Sequence, residues 1–282
     1  MFEAPQRRIG GLDLGEGPVW LAKRNALAFV DITGQKIHLM GENGVQTYCT
    51  DDMVGCVVPV SNGNLLAAVG CGLVELNLDT GQQTPLLDLG QPRWLRANDG
   101  KCDREGRLWL GLMARNQNAP DAIGGGRLLC VRREKQVFSQ GGFTIPNGLS
   151  FCEDGSFYHT DTATGGIDLC VTSGDGKIMT RRRVVDIPGD EGRPDGFCSD
   201  RDGNLWVALW GGGKVVCIDP ETGEWLHTLA LPDKNVSCCC FGGERLDTLY
   251  ITTARDEDGL GGNLYAVRTR ARGRDPFQYR KD

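Results

Sequence analysis

The chain has 282 residues, 40% of them hydrophobic, and a formal charge of −6 at pH 7. That length suits one large all-β domain or two ordinary ones, and the acidic balance argues against a nucleic-acid partner. No apolar run approaches the roughly 18 residues of a membrane span, and the start, MFEAPQRRIGG, lacks the apolar stretch of a secretory leader.

In chain order, the stretch before Leu12 is too short for a blade of its own and is expected to supply an outer strand elsewhere. Six apolar runs of one form follow: LAFVD from Leu27, LLAAV from Leu65, LWLGL from Leu108, FYHTD from Phe157, LWVAL from Leu205 and LYITT from Leu249. Most follow a turn pair, such as Glu105-Gly106 or Asp202-Gly203. Each is succeeded by a second run, from KIHLM to GNLYAV, with no helical period. Strand sets recurring every forty to fifty residues or so describe propeller blades. The fold expected is an all-β six-bladed β-propeller, one domain over 1–282, with the N-terminal stretch closing the last blade. A two-sheet sandwich accommodates the strands but not the period. The basic tail from about 269 reads as a solvated end rather than a binding arm.

Four oxygen-bearing residues precede a glycine at matched phase: Glu16-Gly17, Asp99-Gly100, Asn147-Gly148 and Asp195-Gly196. They lie 11, 9, 10 and 10 residues before Leu27, Leu108, Phe157 and Leu205. That phase is the start of the innermost strand, which in a propeller lines the central channel. Residues distant in sequence therefore meet around one mouth, where Asn98 adds a further polar group. Any single pair is explained by turn chemistry; four in phase, one of them a glutamate, point to a site. The matching positions near Gly55 and Val236 carry no carboxylate.

Two ionised carboxylates ~4 Å apart repel by ~4 kcal/mol at an effective dielectric of about 20. A shared proton or a divalent cation relieves this, and the Asn147 amide, a neutral oxygen donor, favours the cation. With only His38, His159 and His227 scattered along the chain, a metal must be held largely by oxygen. Ca²⁺, Mg²⁺ and Mn²⁺ suit such ligands, and Zn²⁺ and Fe²⁺ stay open. The twelve cysteines include Cys238, Cys239 and Cys240 in a row and no C-x-x-C pair. They read as small buried hydrophobes in a reducing compartment, which points to the cytoplasm.

LGEGPVW, RANDGKCDREGRLWLGLM, PNGLSF, YHTDT and PDGFCSDRDGNLWVALWGGGKV resemble the senescence-marker/regucalcin/gluconolactonase family of sugar lactone hydrolases. The match runs from about Gly15 to Val267, and LPDKNVSCCCFGGERLDTLYITTAR looks most like bacterial pentonolactonases. The resemblance implies a six-bladed propeller with one catalytic divalent metal, held by Glu16, Asn147 and Asp195. It casts Asp195 also as acid/base, and Arg96 and Asn98 as contacts to a sugar lactone. One departure is Asn116, beside Arg115, where some members carry an acidic substrate contact.

Ligation lowers the basicity of Asp195, so Asp99 or a metal-bound hydroxide stands as the fallback. His159 is expected to pack within its strand, outside the site. The rival readings are a non-catalytic propeller that binds proteins and a related metal-dependent esterase. The sequence names neither the sugar, the metal nor the oligomeric state.

Overall fold

The computed structural model describes residues 2–281, and within them there is no α-helix. Six four-stranded antiparallel sheets follow one another around a ring, the six-bladed propeller expected from the repeat. The inner strands are Gly15–Leu21, Val54–Pro59, Leu95–Cys102, Pro146–Phe151, Arg193–Ser199 and Asn235–Gly242, belonging to blades one to six. The repeated apolar run is the second strand of each blade, such as Leu205–Trp210 in blade five. The outer strand of blade six is Gln6–Gly10, which pairs with Asn263–Arg268 through Arg7–Tyr265 and Ile9–Leu264. The ring is thus closed by the N-terminal stretch.

Inner and second strands are buried on both faces because blades stack on each other. Between blades one and two lie Val30, Ile37, Val54, Leu65 and Leu76; Trp206, Val215, Cys239, Phe241 and Ile251 fill the seam of blades five and six. Burial of this kind drives folding at roughly 25 cal/mol per Å² of apolar surface. Eight of the twelve cysteines are buried and all twelve are free, as small hydrophobes would be.

Carboxylates outside the channel have structural work. Asp103 accepts from the Arg107 amide at 3.0 Å and the Trp109 indole at 2.9 Å. Asp200 repeats the pattern with the Asn204 amide and the Trp206 indole, both at 3.0 Å. Each holds the turn into its second strand, where Gly106 and Gly203 take φ of 77° and 93°.

The C-terminal segment departs from expectation. Instead of a solvated end it runs across the face opposite the inner-strand starts. The Gly273 amide donates to Leu246 at 2.8 Å in blade six, and Arg274 bonds the Arg201 carbonyl at 2.9 Å in blade five. Tyr279 is fully buried, its amide donating to Pro59 at 2.8 Å and its hydroxyl accepting from the Glu134 amide at 2.8 Å. One aromatic anchor outweighs the surrounding charge, which alone had suggested a solvated tail.

Candidate active site in the channel mouth

All six inner strands change register near their start: between Glu16 and Val19, Val54 and Cys56, Ala97 and Gly100, Asn147 and Leu149, Pro194 and Phe197, and Val236 and Cys238. Such bulges re-aim side chains at the rims of closed sheets. They account for the residue-glycine pairs. At Gly148 and Gly196 the glycine is needed because the next blade lies against it. A Cβ on Gly196 would overlap Cys238, and one on Gly148 would overlap Phe197 and the Asp195 carbonyl. The preceding side chain is then free to face the channel.

Three of these side chains also fold back onto their glycine. The Gly17 amide donates to Glu16 Oε2 at 2.7 Å, the Gly100 amide to Asp99 Oδ1 at 2.8 Å, and the Gly148 amide to Asn147 Oδ1 at 3.1 Å. In blade six Ser237 takes the glycine position, and its hydroxyl donates to the Gly15 carbonyl at 2.5 Å.

Asn147 Nδ2 donates to Asp195 Oδ1 and, at 3.2 Å, meets the Thr162 hydroxyl. Arg96 Nη1 donates to Asn98 Oδ1 at 2.9 Å and to the Ala97 carbonyl at 2.8 Å. Asn98 Nδ2 reaches the Pro146 carbonyl at 3.1 Å, tying this pair to the residue before Asn147. Glu16 makes no hydrogen bond to Asn147 or Asp195; it meets the group through its field. Glu16, Arg96, Asn98, Asp99, Asn147 and Asp195 are all buried, at 4–8% exposure.

Burial first, then Asp99, pushes the Glu16 carboxyl up to about 8; the Gly17 amide, Arg96 and Lys101 oppose the rise. Burial, then Glu16 and Asp99, lifts Asp195 well above the usual carboxylate range. Asp99 is raised by burial, against Lys101 and the Gly100 amide. Burial lowers the Arg96 guanidinium to about 10 although Glu16 supports its charge. Three carboxyls thus share a desolvated mouth with incomplete compensation.

That imbalance fits a cation. Asp99 Oδ2 is buried and has no hydrogen-bond partner. Among the described residues no three His, Cys, Asp or Glu side chains gather as a ligand set; the candidate donors are two carboxylates and an amide, all hard and compatible with a dication. To offer its oxygen to a cation the Asn147 amide would turn over, giving up the Gly148 amide and Asp195 contacts.

Lys101 was not singled out in the sequence, although it follows Asp99 by two residues on the same strand. Its amine donates to the Phe197 carbonyl, so its chain reaches from blade three to blade five past blade four. Burial works against its charge, but Asp99 and nearby thiols raise its pKa overall. Beyond Asp99 and Lys101 a cavity of about 140 Å³ continues to Arg274–Phe277 of the C-terminal strap. His159 stays outside the channel, 1% exposed and stacked on Phe143 with ring centroids 5.3 Å apart. Burial, then Arg181, lowers it to about 3. Asn116 is exposed and caps its own loop, accepting from the Asn118 amide at 3.0 Å.

A model of the SMP-30/Gluconolactonase/LRE-like region matches residues 14–255. Regucalcin of Danio rerio is 35% identical over 251 residues, covering 86% of this chain and 83% of that protein. The structure of a calcium-binding protein, regucalcin, from Agrobacterium tumefaciens aligns with a TM-score of 0.90 at 25% identity, over 99% of this chain and 98% of that one. A gluconolactonase of Xanthomonas campestris shares the fold at 20% identity, with a TM-score of 0.74 over 94% and 95% of the two chains.

Proposed function

The chain belongs to the SMP-30/gluconolactonase/LRE-like family, and from that premise we propose that it hydrolyses a sugar lactone, an aldonolactone of the pentonolactone type, to the aldonic acid. The observation that carries this reading is the meeting of buried Glu16, Asp99, Asn147 and Asp195 beside Arg96 and Asn98 in one channel mouth. A related metal-dependent esterase would use the same donors, and the substrate panel below separates the two.

Glu16, Asn147 and Asp195 are the residues that would hold a divalent cation. When bound, the cation supplies Lewis-acid polarisation of the lactone carbonyl. Arg96, anchored through Asn98 and the Ala97 carbonyl, orients the ring oxygen and sugar hydroxyls. Lys101 limits how deep the sugar enters. Water adds to the carbonyl carbon while Asp195 accepts its proton; the ring carbon–oxygen bond then breaks and the ring oxygen takes that proton back. Burial and the neighbouring carboxyls raise Asp195 in the absence of the cation; a bound dication would oppose that rise, so Asp195 acts by its position beside the attacking water rather than by unusual basicity. Asp99, with one oxygen unpartnered, is the fallback base.

A panel of aldonolactones and simple aryl esters, followed by acid release with and without chelator, tests the reading. The expected result is hydrolysis of at least one aldonolactone, stopped by chelator and restored by a dication. Hydrolysis of esters alone would make it an esterase; inertness toward both would leave a binding propeller.

A further inference from the structure

We infer that Arg115 and Asp52 form a positioning fork that sets Arg96 and Asn98 at the channel mouth; the inference rests on the lactonase reading. Arg115 follows the second strand of blade three, and Asp52 lies in the connector from blade one to blade two. Their contact is bidentate: Nη1 to Oδ1 at 2.8 Å and Nη2 to Oδ2 at 2.6 Å. The Nε donor reaches the carbonyls of Arg93 at 2.9 Å and Leu95 at 3.0 Å, and the Arg115 amide bonds the Trp94 carbonyl at 2.9 Å. Through its side chain and its amide, Arg115 therefore holds the three carbonyls that precede Arg96.

Asp52 is itself held. Its Oδ1 accepts from the Met53 amide at 2.7 Å, and the Met53 carbonyl accepts from Gly70 at 2.8 Å. The Gly70 carbonyl in turn accepts from the Ala97 amide at 2.7 Å, between Arg96 and Asn98. The chain of bonds leaves blade three at Arg115 and returns to it at Ala97. Isolated ion pairs at this exposure contribute little to stability, so the function of this one is geometric. A planar fork matches a carboxylate and two carbonyls as an ammonium cannot. At the position beside it, Asn116 is turned into its own loop, so the arginine shapes this rim.

The test uses Arg115→Gln, Arg115→Lys and Asp52→Asn, with melting temperature as the check on folding. For the hydrolysed lactone, Arg115→Gln should raise KM about tenfold with a smaller change in kcat. Arg115→Lys should resemble it rather than the wild type, and Asp52→Asn should lie between. Amide hydrogen exchange at Leu95 and Ala97 should quicken in the Arg115 variants, a readout independent of turnover. KM and exchange unchanged in a folded Arg115→Gln protein would overturn the fork. If the wild type hydrolyses no lactone, the functional reading fails, and exchange alone decides whether Arg115 fixes the Arg96 turn.

Discussion

Asp195 has two roles in the proposed mechanism, as ligand and as proton acceptor, and substitution separates them. Asp195→Asn keeps an oxygen donor but neither the charge nor the basicity; Asp195→Ala removes both. As the base it should contribute on the order of 10²–10⁴ in turnover, so both variants lose most hydrolysis while the Asn variant retains more metal. Near wild-type turnover by the metal-loaded Asn variant would remove Asp195 as the essential base. Glu16 gives a second reading at this scale. Its folded pKa of about 8 lies above its ordinary 4.5, so the folded form holds the proton more tightly than the unfolded chain. That stability is complete below about 4.5 and is lost as pH rises through about 8. Chelated protein should therefore melt at a lower temperature at about pH 9 than at about pH 5, and a bound dication should reduce the difference. A melting temperature that climbs over that range would show the mouth carboxyls to be better compensated than their burial implies.

The inner strand is the element that makes the site, through its bulge and its glycine. Gly196→Ala tests this, because the new Cβ meets Cys238 in the next blade. Overpacking of that kind costs ~1–3 kcal/mol, read as a lower denaturant midpoint with an unchanged slope; a midpoint equal to wild type would mean the blades part without cost. The residue-glycine phase made Glu16, Asn147, Asp195 and Asp99 legible before any coordinates, since equivalent strand positions in a ring face one axis. Lys101 sits at the same period-two position beyond Asp99, so the signal for it existed. What spacing alone does not carry is reach: that Lys101 extends to Phe197 in blade five depends on the width of the channel. The Arg115–Asp52 fork was illegible for the same reason, as its partners are 63 residues apart on different blades.

At the scale of the whole molecule the repeat specified six blades, and the N-terminal stretch had only one strand position left to fill. The C-terminal strap escaped because its arginines suggested solvent, while its course is set by Tyr279 between Pro59 and Glu134. With the strap and Lys101 toward the other end, the proposed function puts the sugar at the Glu16–Asp195 mouth. The central claim is that a dication held there by Glu16, Asn147 and Asp195 is required for lactone hydrolysis. The direct measurement strips the protein with chelator, returns metal stepwise, and counts bound ions and pentonolactone turnover in the same samples. Turnover should rise in proportion to bound metal and level off at a single ion per chain, with Glu16→Ala showing neither over that range. Full turnover by chelated protein carrying no bound ion would contradict the account.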